Sequence, residues 1–221
     1  MRPARAVPCS AIRRTVAGEN GAVPTEHTAP TEPAAFSGPD VWALSSSNVY
    51  SDRWIRLRRD EIERRDGSRG TYAVIDRADF ALVIPAEDGG FHLVEEFRYP
   101  IGRRTWSFPQ GGFPHGQTGT LEELAALELA QETGLRAGAL MPLGAASVAH
   151  GMCSQFGHYF LATELVPGPP DREPEEQDMR QAWVERAEFE EMVRCGRIVD
   201  NSSLSAYALL QIAERRGDVK L

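Results

Sequence analysis

FPQGGFPHGQTGTLEELAALELAQETGL, residues 108–135, is the stretch on which the reading of this chain turns. It opens on a glycine-containing bend and runs into a segment with both helix signals. Thr120 is a good N-cap, and Glu123 three residues on completes a capping box. Gly134 is placed to end the helix in the left-handed conformation. The expected helix runs Leu121–Thr133, with apolar residues over much of its circumference, so it should be sandwiched between layers. Glu128 and Glu132 are four apart and share one face. Two carboxylates on a largely buried helix repel each other unless a positive charge sits between them. A hard divalent cation such as Mg²⁺ takes oxygen ligands and shares its shell with phosphates. The pattern therefore points to a metal-dependent site for a phosphorylated ligand.

Working outward, residues 52–77 read as two strands joined at Asp66-Gly67. Residues 80–100 repeat the form, with a turn at Asp88-Gly89-Gly90 and a stop at Pro100. A short strand is expected at Trp106–Phe108. Beyond the helix come strands at Met141–Ala149 and Phe156–Ala162, then an acidic, Pro-rich loop and a last strand in QAWVER. A short helix in RAEFEEMVRCGRI and a closing amphipathic helix with a serine cap complete the chain. Strands with helices between and after them predict an α/β fold with a central mixed sheet covered on both sides.

Composition bounds the function. The chain has 221 residues, 42% hydrophobic and 25% charged, with net charge −8. That balance argues against a nucleic-acid partner. No apolar run is long enough to cross a bilayer, so no membrane partner is expected. Cys9, Cys153 and Cys195 form no metal or redox spacing, which makes the cytoplasm the expected compartment. The histidines, His115, His150 and His158 among them, fit no common zinc pattern. Residues 1–41 hold four arginines early, then Pro, Thr, Ala and Gly. They read as a disordered N-terminal tail preceding a folded domain at 42–221.

The residues of the 108–135 stretch resemble the box of the Nudix hydrolases: Gly, five residues, Glu, seven residues, then Arg-Glu-hydrophobic-any-Glu-Glu-any-Gly-hydrophobic. Gly111 begins it, Glu128 and Glu132 keep two of its acids, and Gly134-Leu135 close it. Gln117 stands at the first Glu, Leu127 at the Arg, and Gln131 at the first Glu of the pair; nine residues follow Gln117 instead of seven. LVEEFRYP is similar to the ADP-ribose and nucleotide-sugar pyrophosphatase branch, and WSFPQGG also to the dinucleoside-polyphosphate and RNA 5′-pyrophosphohydrolase branch. The tract PPDREPEEQDM is similar to a loop that carries a catalytic glutamate in the first branch.

The resemblance implies a Nudix-type α/β/α sandwich and hydrolysis of a nucleoside diphosphate linked to another moiety. The products would be a nucleoside monophosphate and a phosphorylated partner. It implies Mg²⁺ or Mn²⁺ held by Glu128, Glu132 and the backbone carbonyl of Gln110, and a diphosphate contact from Arg98. Glu128 would take part in catalysis, with Glu175 or Glu176 activating the water. It also implies a homodimer. Two other functions remain open: a dinucleoside-polyphosphate or RNA 5′-pyrophosphohydrolase, and a nucleotide-binding module that does not cleave.

Overall fold

A computed structural model describes residues 40–113, 118–172 and 177–221. Gln117, Glu175, Glu176 and His115 lie outside the described residues, as does the segment expected as a tail up to residue 39. The unit described is Val41–Leu221.

Three strands come first: β1 (Val41–Ser51), β2 (Arg56–Arg64) and β3 (Arg69–Asp76), an antiparallel sheet in that order. The Asp66-Gly67 turn joins β2 to β3 as expected, with Gly67 at φ 80°. β1 was not legible as a strand. Every residue in it is exposed, so burial imposes no alternating pattern on its sequence.

The central sheet has seven strands. β4 (Phe80–Glu87) and β5 (Gly90–Arg98) form a hairpin, followed by a single 3-10 turn at Tyr99–Ile101. β6 (Arg103–Ser107) pairs with β5, and the two-residue β7 (Gln110–Gly111) pairs with β4. Helix α1 spans Leu121–Thr133, with Thr120 and Glu123 closing the capping box and Gly134 at φ 74°. Then come β8 (Leu135–Ser147), β9 (Phe156–Pro167) and β10 (Arg180–Glu185). Helices α2 (Arg186–Arg194) and α3 (Asn201–Arg216) end the chain. The order is β10-β5-β4-β9-β8, with β4–β9 parallel and the other pairs antiparallel, hence a mixed sheet.

Several sequence expectations shift: the short strand expected at Trp106–Phe108 is β6 at Arg103–Ser107, and the one expected at Phe156–Ala162 runs on to Pro167. β8 begins right after Gly134 rather than at Met141, because Gly138, Pro142 and Gly144 interrupt its pattern and a bulge falls between Pro142 and Gly144. The cap of α3 is Asp200, whose carboxylate accepts from Ser203 N–H, not a serine.

β4 is buried along nearly its whole length and feeds two cores. Leu82 and Ile84 join Phe91, Leu93, Phe108, Phe189 and Leu210 on the face covered by α2 and α3. Ala81 and Val83 join Leu124, Ala125, Leu129 and Phe160 on the face covered by α1. This is the expected helix-sheet-helix layering.

The sheet also forks. β4 pairs with β5 only at Ala86–Phe91 and Glu87–Gly90. Beyond that point β4 takes β7 as its partner and β5 takes β6. The fork separates two walls, one built on β7 and α1, the other on β5 and β6.

Candidate active site

Glu128 and Glu132 lie on the first wall. Their residues are only 5% and 2% exposed. Gly111 explains the position of Glu128: a Cβ at Gly111 would stand 2.5 Å from each oxygen of the Glu128 carboxylate. The carboxylate occupies the space a side chain would fill, so any larger residue at 111 would have to displace it. Glu132 is one turn further along the same face. This wall therefore holds one buried carboxylate, Glu128, against the backbone bend and a second, Glu132, buried one turn further along the helix.

The bend itself is anchored on three sides. Leu82 and Ala81 pair with Gln110 and Gly111. Pro109 O accepts from Val83 N–H at 2.9 Å. The Gln110 side-chain amide donates to Asp200 Oδ2 at 3.0 Å, and the same oxygen accepts from Ser203 N–H and Oγ–H. Ser203 Oγ in turn accepts from Phe108 N–H at 3.0 Å. The capped start of α3 therefore sets the backbone of residues 108–111.

The end of α1 is tied to the Pro-rich loop. A helix leaves its last carbonyls without intrahelical partners. Here Asp171 N–H donates to Gln131 O at 3.0 Å, and Arg172 Nε donates to Glu132 O at 3.1 Å. Arg172 Nη1 also reaches Met179 O at 2.6 Å. On the far side of the loop, Arg104 donates to Asp178 Oδ2 at 2.6 Å and Asp178 O at 2.9 Å, and to Glu95 Oε2 at 3.0 Å. Residues 173–176, with Glu175 and Glu176, lie between these two anchors in the chain.

Arg98 lies on the second wall, at the end of β5. Its Nη2 pairs with Glu96 Oε1 at 2.5 Å. Burial pushes the Glu96 carboxyl above the usual glutamate range; Arg98 pulls it back, and Asp178 adds to the rise. Glu95 turns instead to Arg104 and Arg180.

The donor set suits a hard cation: two buried carboxylates with a backbone carbonyl at the neighbouring bend leave room in the shell for phosphate and water. Among the described residues, no group of three or more His, Cys, Asp or Glu side chains is arranged to hold a metal. Gln131 accounts for one missing acid. His158 is engaged by Asp79 Oδ2 at 2.9 Å. Sequence reasoning missed Arg104, Arg172 and Asp200. Glu96 was legible from its place two residues from Arg98 in a strand, where Glu95 or Glu96 is the natural ion-pair partner of a strand-end arginine, and the structure shows the pair with Glu96.

Comparison with known proteins gives this arrangement a family. Residues 43–75 match the nucleoside diphosphate sugar hydrolase N-terminal domain, and residues 76–200 match the NUDIX domain. An ADP-ribose pyrophosphatase of Mycobacterium tuberculosis is 30% identical over 173 residues, covering 75% of this chain and 81% of that protein. An ADP-ribose pyrophosphatase of Bacillus subtilis is 25% identical, over 77% of this chain and 92% of its own length. A crystal structure of an ADP compounds hydrolase superposes with a TM-score of 0.72 at 21% identity, covering 84% of this chain and all of that one. It shares the fold.

The chain belongs to the Nudix family. It is a Nudix pyrophosphohydrolase, and the match to the N-terminal domain covers nearly all of the first sheet, β1–β3.

Proposed function

We propose that this enzyme hydrolyses ADP-ribose or a nucleotide sugar to a nucleoside monophosphate and a sugar phosphate, with Mg²⁺ or Mn²⁺ as cofactor. The observation that carries this reading is the buried Glu128 carboxylate packed against Gly111, with Glu132 one turn on. The names of the relatives favour ADP-ribose.

Glu128, Glu132 and the Gln110 carbonyl would hold the cation, which would supply positive charge to neutralise the diphosphate and favour ionisation of the attacking water. Arg98 binds the diphosphate through its guanidinium, whose planar fork suits paired phosphate oxygens. Glu175 or Glu176 takes the proton of the attacking water. Arg172 and Arg104 fix the described flanks of that loop.

The enzyme acts in the cytoplasm as a homodimer. The β1–β3 sheet leaves Trp42, Leu44, Val49, Tyr50 and Trp54 exposed, an apolar surface fit for a second copy. Light scattering should give twice the 24.4 kDa of one chain; a monomer would reject the dimer.

The test of function is product analysis with ADP-ribose, a UDP-sugar, diadenosine tetraphosphate and triphosphorylated RNA, each with Mg²⁺, Mn²⁺ or chelator. The expected result is metal-dependent AMP release, fastest from ADP-ribose. Preferred turnover of the tetraphosphate or the RNA would replace the substrate assignment.

A further inference from the structure

Glu96 and Arg98 are two apart on β5 and so share one face of the strand. Across β6, Arg103 stands directly opposite Arg98, and Thr105 opposite Glu96. Two guanidinium-bearing residues thus meet beside the turn that joins the two strands, where like charges repel. Arg103 has no ion-pair partner among the described residues. The Glu96 carboxylate, four-fifths buried, takes Nη2 of Arg98, whose own side chain is nearly half exposed. No other side chain among the described residues engages Arg98, so the rest of its donor fork is open to a ligand.

We infer that Glu96 is the positioning residue for Arg98: it grips one corner of the guanidinium and presents the remaining N–H groups to the diphosphate. This rests on the diphosphate-binding role proposed for Arg98. A long arginine side chain loses much rotamer freedom when it is immobilised on a ligand. A carboxylate that has already ordered it lowers that cost in binding, and the gain appears in KM.

Steady-state kinetics with ADP-ribose on Glu96→Ala, Glu96→Gln, Arg98→Ala and the Glu96→Ala/Arg98→Ala double variant test this. Glu96→Ala should raise KM about tenfold with kcat within about twofold of wild type. Glu96→Gln keeps an acceptor oxygen at the same reach and should recover most of that loss. In the Arg98→Ala background, Glu96→Ala should add nothing, because the two act as one unit. The inference is overturned if Glu96→Ala leaves KM unchanged or lowers it, or if it lowers kcat instead. It is also overturned if glutamine does not rescue. An unchanged KM in Arg98→Ala would remove the role of Arg98 itself; a raised KM there with none in Glu96→Ala would sink the Glu96 inference alone.

Discussion

The two walls of the fork are built in opposite ways. The wall of β7 and α1 buries its carboxylates almost completely and packs one of them against a glycine. The wall of β5 and β6 keeps its guanidiniums part-exposed and holds them by ion pairs, Arg98 with Glu96 and Arg104 with Glu95 and Asp178. Buried charge tolerates little rearrangement, because losing its partner carries the full desolvation penalty. Part-exposed ion pairs are weak and adjust to what arrives. The first wall is thus suited to fixing a cation whose position decides the chemistry, and the second to capturing a substrate of variable shape. Changes on the first should strike kcat, and changes on the second KM.

The harshest break is Glu132→Gln. A metal ion contributes several kcal/mol of charge stabilisation, so kcat should fall by about 10³-fold with the fold intact by circular dichroism. A fall below tenfold would put the cation elsewhere. Gly111→Ala comes next. The new methyl must displace the Glu128 carboxylate, and a shift of about 1 Å in a reacting array costs about 10²-fold in kcat. Wild-type kcat there would mean that the carboxylate moves freely. Arg172→Ala cuts the link from the end of α1 to the start of the loop. A loss of about tenfold in kcat with little change in KM is expected, as for other residues that orient a ligand at one remove. The smallest effect sharpens the contrast rather than breaking it. Gln131→Glu restores an acid at the position where the family box has one and should raise kcat several-fold. An unchanged rate and unchanged metal affinity would show that this position lies outside the cation's shell.

The first wall was the more legible in sequence, and the reason is local. Thr120, Glu123 and Gly134 are capping signals read within a few residues of each other, and the four-residue spacing of Glu128 and Glu132 fixes their shared face. β7 was not legible. It has two residues and exists because β4 leaves β5 and needs a partner. β8 was half legible, since Gly138, Pro142 and Gly144 break its alternation while β9 holds it in register. Arg172, Arg104 and Asp200 act through residues tens of positions away in the chain. Nothing beside them in the sequence announces those contacts. Glu175 and Glu176 rest on the family resemblance, with only the flanks of their loop described.

The central claim is that Glu128 and Glu132 jointly bind the divalent cation. Titrating Mn²⁺ into the substrate-free protein, read by loss of the free-ion paramagnetic resonance signal, tests it without any turnover. Wild type should bind Mn²⁺ saturably, and the Glu128→Gln/Glu132→Gln double variant should weaken the tightest site by at least about tenfold. Equal binding by the two proteins would contradict the account.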